Sequence, residues 1–276
     1  MFTQVEELSR YRLRGMVGTP VSETSRLPLS RTTESPVRNE LLQSLPEEAL
    51  DDLRPYLERV PLKRRQMLHE RNLAVTHAYF IERGLASLLA RSGDHSALEV
   101  STFGRCDFVG LPLVLGTART PYRCVVQVPG EALRISADDL QEALSVIPAL
   151  QHLLLRYVQA RTVQSTQLVV CNTRHPLRQR LARWLLFAHD RSDGDMIPVT
   201  HQVLGRALGV RRAGVTTAMG RMEEAGLIHR GRGRLVILDR ARLEEEACEC
   251  YRIMRSEHGR IVCREVSEPP LTAVNQ

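Results

Sequence analysis

The segment Thr200-His-Gln-Val-Leu-Gly-Arg-Ala-Leu-Gly-Val-Arg-Arg-Ala-Gly-Val-Thr-Thr-Ala-Met-Gly-Arg-Met-Glu-Glu-Ala225 reads as helix, tight turn, helix. Thr200 can cap the first helix by accepting a hydrogen bond from its first turn. Val203, Leu204, Ala207 and Leu208 recur at helical spacing and supply its buried face. Gly209 falls where the chain must reverse, a place that favours a residue free to take positive φ. Val215, Met219 and Met222 give the second helix a core face and leave Arg212, Thr216, Thr217 and Arg221 on the other side. Gly226 ends that helix, and Ile228-His-Arg-Gly-Arg-Gly-Arg-Leu-Val-Ile237 follows as two short strands joined by a cationic hairpin. A helix-turn-helix with such a wing can lay its second helix in the major groove of duplex DNA.

The residue types suit that task. Arginine can donate two parallel hydrogen bonds to guanine O6 and N7, while threonine offers a hydroxyl to phosphate and a methyl to thymine. Arg211, Arg212, Thr216 and Thr217 are therefore the base-reading candidates, with Arg211 equally able to serve a phosphate. Thr200, Gln202, Arg221, Arg230, Arg232 and Arg234 are the candidates for phosphate contacts, which position a protein on DNA without reading its sequence. Charge agrees: residues 174–238 carry twelve arginines against five acids, a net +7, whereas the whole chain of 276 residues carries +6. The basic excess is concentrated on this one module, as a phosphate-binding surface requires.

Working outward, residues 147–173 keep a helical period for over six turns, with Leu150, Leu154, Tyr157, Arg161 and Leu168 along one side. So long a helix needs a partner, either the chain's own upstream domain or a second copy, and the reading favours a homodimer built on that side. Residues 61–136 instead alternate apolar and polar side chains in short runs (77–82, 85–90, 97–103 and 125–135) punctuated by Gly84, Gly104, Gly110 and Pro129-Gly130. This pattern predicts a compact antiparallel roll. An amphipathic stretch over 39–60 predicts two short helices ahead of it. The expected organisation is α+β: a flexible arm over 1–37, a β-roll with flanking helices over 38–146, a connecting and dimerisation helix over 147–173, a winged helix-turn-helix over 174–238, and a C-terminal segment over 239–276 whose first part, 239–257, reads as one amphipathic helix.

Several functions are excluded or disfavoured. No apolar run approaches the roughly 20 residues that cross a bilayer, and arginines interrupt residues 8–18, so a cytoplasmic protein without membrane contact is expected. Glycine-rich phosphate loops, nucleophile elbows and metal-ligand spacings are absent, which argues against an enzyme. The six cysteines form no C-x-x-C pair, and Cys248 and Cys250, two apart on a helix, would diverge. Neither a metal nor a cofactor is expected.

These residues carry a family resemblance. The stretch 200–237 resembles the winged helix of the Crp/Fnr regulators. His77-Ala-Tyr-Phe-Ile-Glu-Arg-Gly84 and Phe103-Gly-Arg-Cys-Asp-Phe-Val-Gly110 resemble hairpin segments of that family's cyclic-nucleotide-binding roll. The resemblance covers about 39–240 and implies a homodimer that binds a two-fold-related duplex and contacts RNA polymerase. It also exposes departures. Leu111-Pro112 stands where the family holds the ribose with a glutamate, and Arg123-Cys124 stands for its Arg-Ser phosphate pair. Gly110, Arg123 and Cys124 are thus weak effector-pocket candidates, Arg123 being readable equally as a surface charge, and cyclic-AMP control is not expected. Ala213 and Thr217 replace a glutamate and an arginine of the family's reading helix, so a different half-site is expected. A binding module that works mainly through protein contacts is the alternative.

Overall fold

The computed structural model describes residues 36–92, 96–192 and 194–262. The arm read over 1–37 lies outside them except for its last two residues, of which Val37 already packs in the core of the roll. Helices α1 (Glu40–Gln43) and α2 (Glu47–Leu53) come first, as the apolar spacing predicts, and bury Leu41, Leu42 and Leu53. A six-stranded antiparallel sheet follows: β1 (Glu58–Leu62), β2 (Met67–His69), β3 (His77–Ser92), β4 (Ser96–Phe103), β5 (Phe108–Val109) and β6 (Arg123–Ser136), with the short helix α3 (Leu111–Val114) before β6. Its main path runs β1-β6-β3-β4, with β2 on β6 and β5 on β3.

Gly104 and Gly110 directly follow the ends of β4 and β5 as expected, but Gly84 and Pro129-Gly130 do not end strands. β3 runs through Gly84 and β6 through Pro129-Gly130, with shifts of register where the two cross. The cause is steric: a Cβ on Gly130 would lie 2.0 Å from the Arg83 carbonyl oxygen, and one on Gly84 2.5 Å from that of Val128. Here glycine permits close approach of two backbones and a bend in long strands, which is how a flat ladder curls into a roll.

Helix α4 (Ala137–Val146) is capped by Ser136, whose hydroxyl accepts from Asp139 N. Pro148 opens α5 (Pro148–Arg174), 27 residues long. Its side bearing Leu150, Leu154, Tyr157 and Arg161 does not face outward. These residues are buried against the roll, with Leu150, Leu154 and Tyr157 fully covered, and Leu168 packs against the winged-helix core. This corrects the expected dimer side, since the more apolar stripe of the helix is consumed within the chain.

The C-terminal module is built from α6 (Leu177–Asp190), β7 (Met196–Ile197), α7 (His201–Leu208), α8 (Arg212–Glu224), β8 (Ile228–Gly231) and β9 (Arg234–Ile237). The strands form a three-stranded sheet ordered β7-β9-β8. One core joins them, with Leu181, Leu185, Leu204, Val215, Met222, Ile228 and Leu235 buried to 0% exposure. The expected helix over 239–257 is two, α9 (Arg240–Glu246) and α10 (Cys250–Val262), broken at Ala247–Glu249. α10 lies along α5 and serves both cores: Tyr251 and Met254 belong to the winged helix and Ile261 to the roll.

Candidate nucleic-acid interface

The turn chemistry places α7 and α8 as the sequence requires. Thr200 Oγ1 accepts from Val203 N at 3.3 Å and so caps α7. Gly209 closes the helix in the left-handed region at φ 65°. Arg211 precedes α8 as its cap residue but makes no side-chain cap, so no side chain accepts from the first backbone N–H groups of the helix. Val215, Met219 and Met222 fix α8 to the core.

The opposite face of α8 is open. Arg211, Arg212, Ala213, Thr216, Thr217 and Arg221 are all exposed, and the contacts of α8 are with α6, α7 and β8. The Thr216 hydroxyl donates to the Arg212 carbonyl and the Thr217 hydroxyl to that of Ala213. Thr216 also meets His201 Nδ1 at 2.9 Å, tying the first helix of the motif to the second. Burial, then the Arg212 and Arg230 guanidinia, lower the His201 pKa, keeping this contact neutral.

The phosphate candidates divide. Arg232 and Arg234 stand exposed at the β8–β9 hairpin, Arg221 on α8 and Gln202 on α7, and among the described residues none of these three arginines pairs with a carboxylate. Arg230 is different. Its Nε donates to Glu223 Oε2 at 2.6 Å and its backbone N–H to Glu223 Oε1 at 2.8 Å, so its charge is largely spent within the module. Those two hydrogen bonds also hold the Glu223 carboxyl below the usual carboxylate range.

The module is seated on the roll by α6 and α7, away from the α8 face. α7 packs on β4, with Gly209 beside Leu98. Trp184 Nε1 donates to Glu99 Oε1 at 3.4 Å, and Ser87 and Thr102 donate to the same carboxyl at 2.8 and 2.7 Å. Burial pushes the Glu99 pKa up, against those three donors. Deeper in, Asp107 of the roll accepts from Arg191, Tyr157 and the backbone of Gly104 and is fully buried. Burial raises its pKa, but the Arg191 and Arg161 guanidinia outweigh it and hold the carboxyl at about 2. Sequence reading missed this network, because residues 84 apart announce no pairing; a lone charge among apolar residues, Glu99, was the available signal.

The effector-pocket candidates do not form one polar cradle. Gly110 is buried at φ 148°, where a Cβ would fall 2.5 Å from that of Ala78. Arg123 is exposed at the start of β6, while the neighbouring Cys124 is fully buried. Cys124 packs with Leu62, Leu68, Tyr79, Ile81, Phe103, Val109 and Val126 in one apolar cluster of buried side chains.

Residues 59–146 match the family model described as a cyclic nucleotide-binding domain, and residues 179–246 that of a Crp-like helix-turn-helix domain. A global nitrogen regulator of Nostoc sp. is 28% identical over 114 residues, which are 39% of this chain and 51% of that protein. The chain spans between half and three-fifths of the length of the curated relatives it matches. Among solved structures, FixK2 of Bradyrhizobium japonicum aligns with a TM-score of 0.57 at 14% identity, covering 70% of this chain and 98% of its own. The c-di-GMP responsive global regulator CLP of Xanthomonas campestris aligns at 0.55 and 17% identity, covering 70% and 100%. At such identities these two speak to the fold alone.

Proposed function

Since the chain belongs to the Crp/Fnr family, with a cyclic nucleotide-binding domain ahead of a Crp-like helix-turn-helix domain, we propose that it is a sequence-specific, duplex-DNA-binding transcription regulator acting as a homodimer. The observation that carries this reading is the free face of α8: Arg211, Arg212, Thr216, Thr217 and Arg221 are exposed on a helix otherwise locked into a core. A helix so held can enter a major groove without rearranging its own fold. Exposed Arg232 and Arg234 extend the cationic surface to the flanking backbone, and Thr200 and Gln202 mark the near end of α7.

The dimer is assigned to the side of α5 that the chain leaves open. Leu155, Thr162 and Val169 recur every seven residues, and His152, Gln159, Thr166 and Thr173 fill the alternate positions of the same 3.5-residue repeat; all seven are exposed. That period is the one that lets two helices pack along their length. A two-fold axis there would present two α8 helices to successive turns of a duplex. RNA polymerase is the further partner that membership of the family suggests.

Cyclic AMP is not the effector in this reading. Cys124 is buried in an apolar cluster of the roll, and Leu111 and Cys124 offer neither a carboxylate to a ribose nor a hydroxyl to a phosphate. Leaving such groups unpaired on burial costs about 1–3 kcal/mol each. The test is duplex binding by the full chain to genomic fragments, titrated with salt, with and without cyclic AMP. Steep weakening with salt and no response to cyclic AMP are expected; failure to bind any duplex at low ionic strength would overturn the proposal.

A further inference from the structure

Three cysteines that look scattered in the sequence converge with one histidine. Cys171 lies in the last turn of α5, and His175, the residue capping that helix, is four positions on. Cys248 lies in the break between α9 and α10, and Cys250 opens α10. Cys171 Sγ is 3.5 Å from Cys248 Sγ, and Cys250 Sγ is 3.4 Å from His175 Nδ1. One ligating atom from each of the four lies within 4.8 Å of every other. The break at Ala247–Glu249 explains why the helical argument failed: Cys248 and Cys250 do not share a helix, so they need not diverge. We propose that Cys171, His175, Cys248 and Cys250 form a Cys3His site for a single tetrahedral zinc ion, which fastens the start of α10 to the end of α5.

The spacing fits one ion. Zinc holds sulfur at about 2.3 Å and nitrogen at about 2.0–2.1 Å, so tetrahedral geometry sets neighbouring ligand atoms roughly 3.5–3.8 Å apart. An iron–sulfur cluster spreads four ligands over two or four irons and so sets them wider apart as a group. Thiolate-rich sites disfavour calcium and magnesium, which take oxygen ligands. The three cysteines are buried and His175 is half-buried, so four protein ligands close the coordination sphere and leave no position for substrate: the role is structural.

The surroundings point the same way independently. Three thiolates, a neutral imidazole and Zn2+ sum to one negative charge. Arg183, 4% exposed, lies beside Cys171, its buried Nε has no hydrogen-bond partner, and among the described residues it pairs with no carboxylate. A buried guanidinium beside neutral thiols alone would be a costly, uncompensated charge; beside a zinc–thiolate centre it has its counter-charge. Gln167 Nε2 also donates to Cys250 Sγ at 3.2 Å, the kind of outer hydrogen bond that orients and tunes a metal-bound thiolate. Binding the ion expels the three thiol protons to solvent, so affinity rises with pH.

The test uses the full chain purified under reduction. Elemental analysis is expected to give one zinc per chain and no iron. After removal of zinc by a chelator, with helical circular dichroism checked, added Co2+ is expected to produce thiolate charge-transfer and tetrahedral ligand-field bands that saturate at one equivalent. Cys171→Ser and Cys250→Ser should each weaken zinc binding more than tenfold, since losing even an outer-shell partner costs about 10–100-fold. Cys106→Ser, whose thiol lies in the roll, should keep it. Should the serine variants fold poorly, the cobalt titration of the parent chain still decides. Substoichiometric zinc with no charge-transfer band on cobalt addition, iron with inorganic sulfide, or a Cys171–Cys248 disulfide in freshly reduced protein would each overturn the assignment.

Discussion

Arg191 Nε donates to Asp107 Oδ2 at 2.7 Å, joining the end of α6 to the roll through two side chains that are 4% and 0% exposed. Removing one partner of a buried pair strands the other. Arg191→Ala should therefore cost about 3–5 kcal/mol of stability. Asp107→Ala should cost a similar amount, and the double variant distinctly less than the sum. Urea denaturation of the four proteins measures this; strictly additive losses would show that the two side chains do not act as a pair.

Acid should loosen the same junction from two directions. His258 of α10 faces Asp107, Arg191, Arg161 and Asp190; burial, only partly opposed by Asp107, lowers its pKa to about 4. The unfolded chain takes up this proton near pH 6.5, so stability is full above that value and declines as pH falls towards 4. Asp107, held at about 2, adds stability above its unfolded value of about 3.9 that is lost as pH falls through 2. Urea midpoints are expected to fall from pH 7 to pH 4, and His258→Gln should flatten the upper part of that decline.

The exposed arginines should separate into two kinds. Arg212→Ala is expected to lose about 1–3 kcal/mol on the preferred duplex and to relax discrimination at one base pair. Arg232→Ala should weaken preferred and random duplexes alike and reduce the salt slope by about 1. Arg230→Ala should alter affinity less than Arg232→Ala, because Glu223 already holds that guanidinium. Competition binding at several salt concentrations distinguishes the three.

Charges placed on the open side of α5 should split the dimer. Leu155→Glu with Val169→Glu alters two exposed positions and leaves the buried side intact. Sedimentation is expected to report a monomer, and duplex affinity should fall about 100-fold as two-point attachment is lost. A double variant that remained dimeric would move the interface elsewhere.

The winged helix was legible because its signals are local: a capping threonine, a turn glycine and apolar spacing within 40 residues all agree. The roll was legible as alternation, although Gly84 and Gly130 mark a close crossing of two strands where a reader of turns sees strand ends. Long-range partners were not legible. Periodicity shows that α5 has an apolar stripe, yet Leu150 and Leu154 face the chain's own roll, and the stripe left open holds more polar residues such as Thr162. Cys171 and Cys248 are brought together by how α10 returns along α5, which no spacing rule encodes.

The pairing of Glu223 with Arg230 links α8 to β8, the two elements proposed to reach a duplex at different places. On the proposed mode of binding, helix and wing would act as the jaws of a caliper set to one opening. Such a gauge would sense the width and bend of the double helix between its jaws, so base pairs that it never touches would still influence how well a site is accepted.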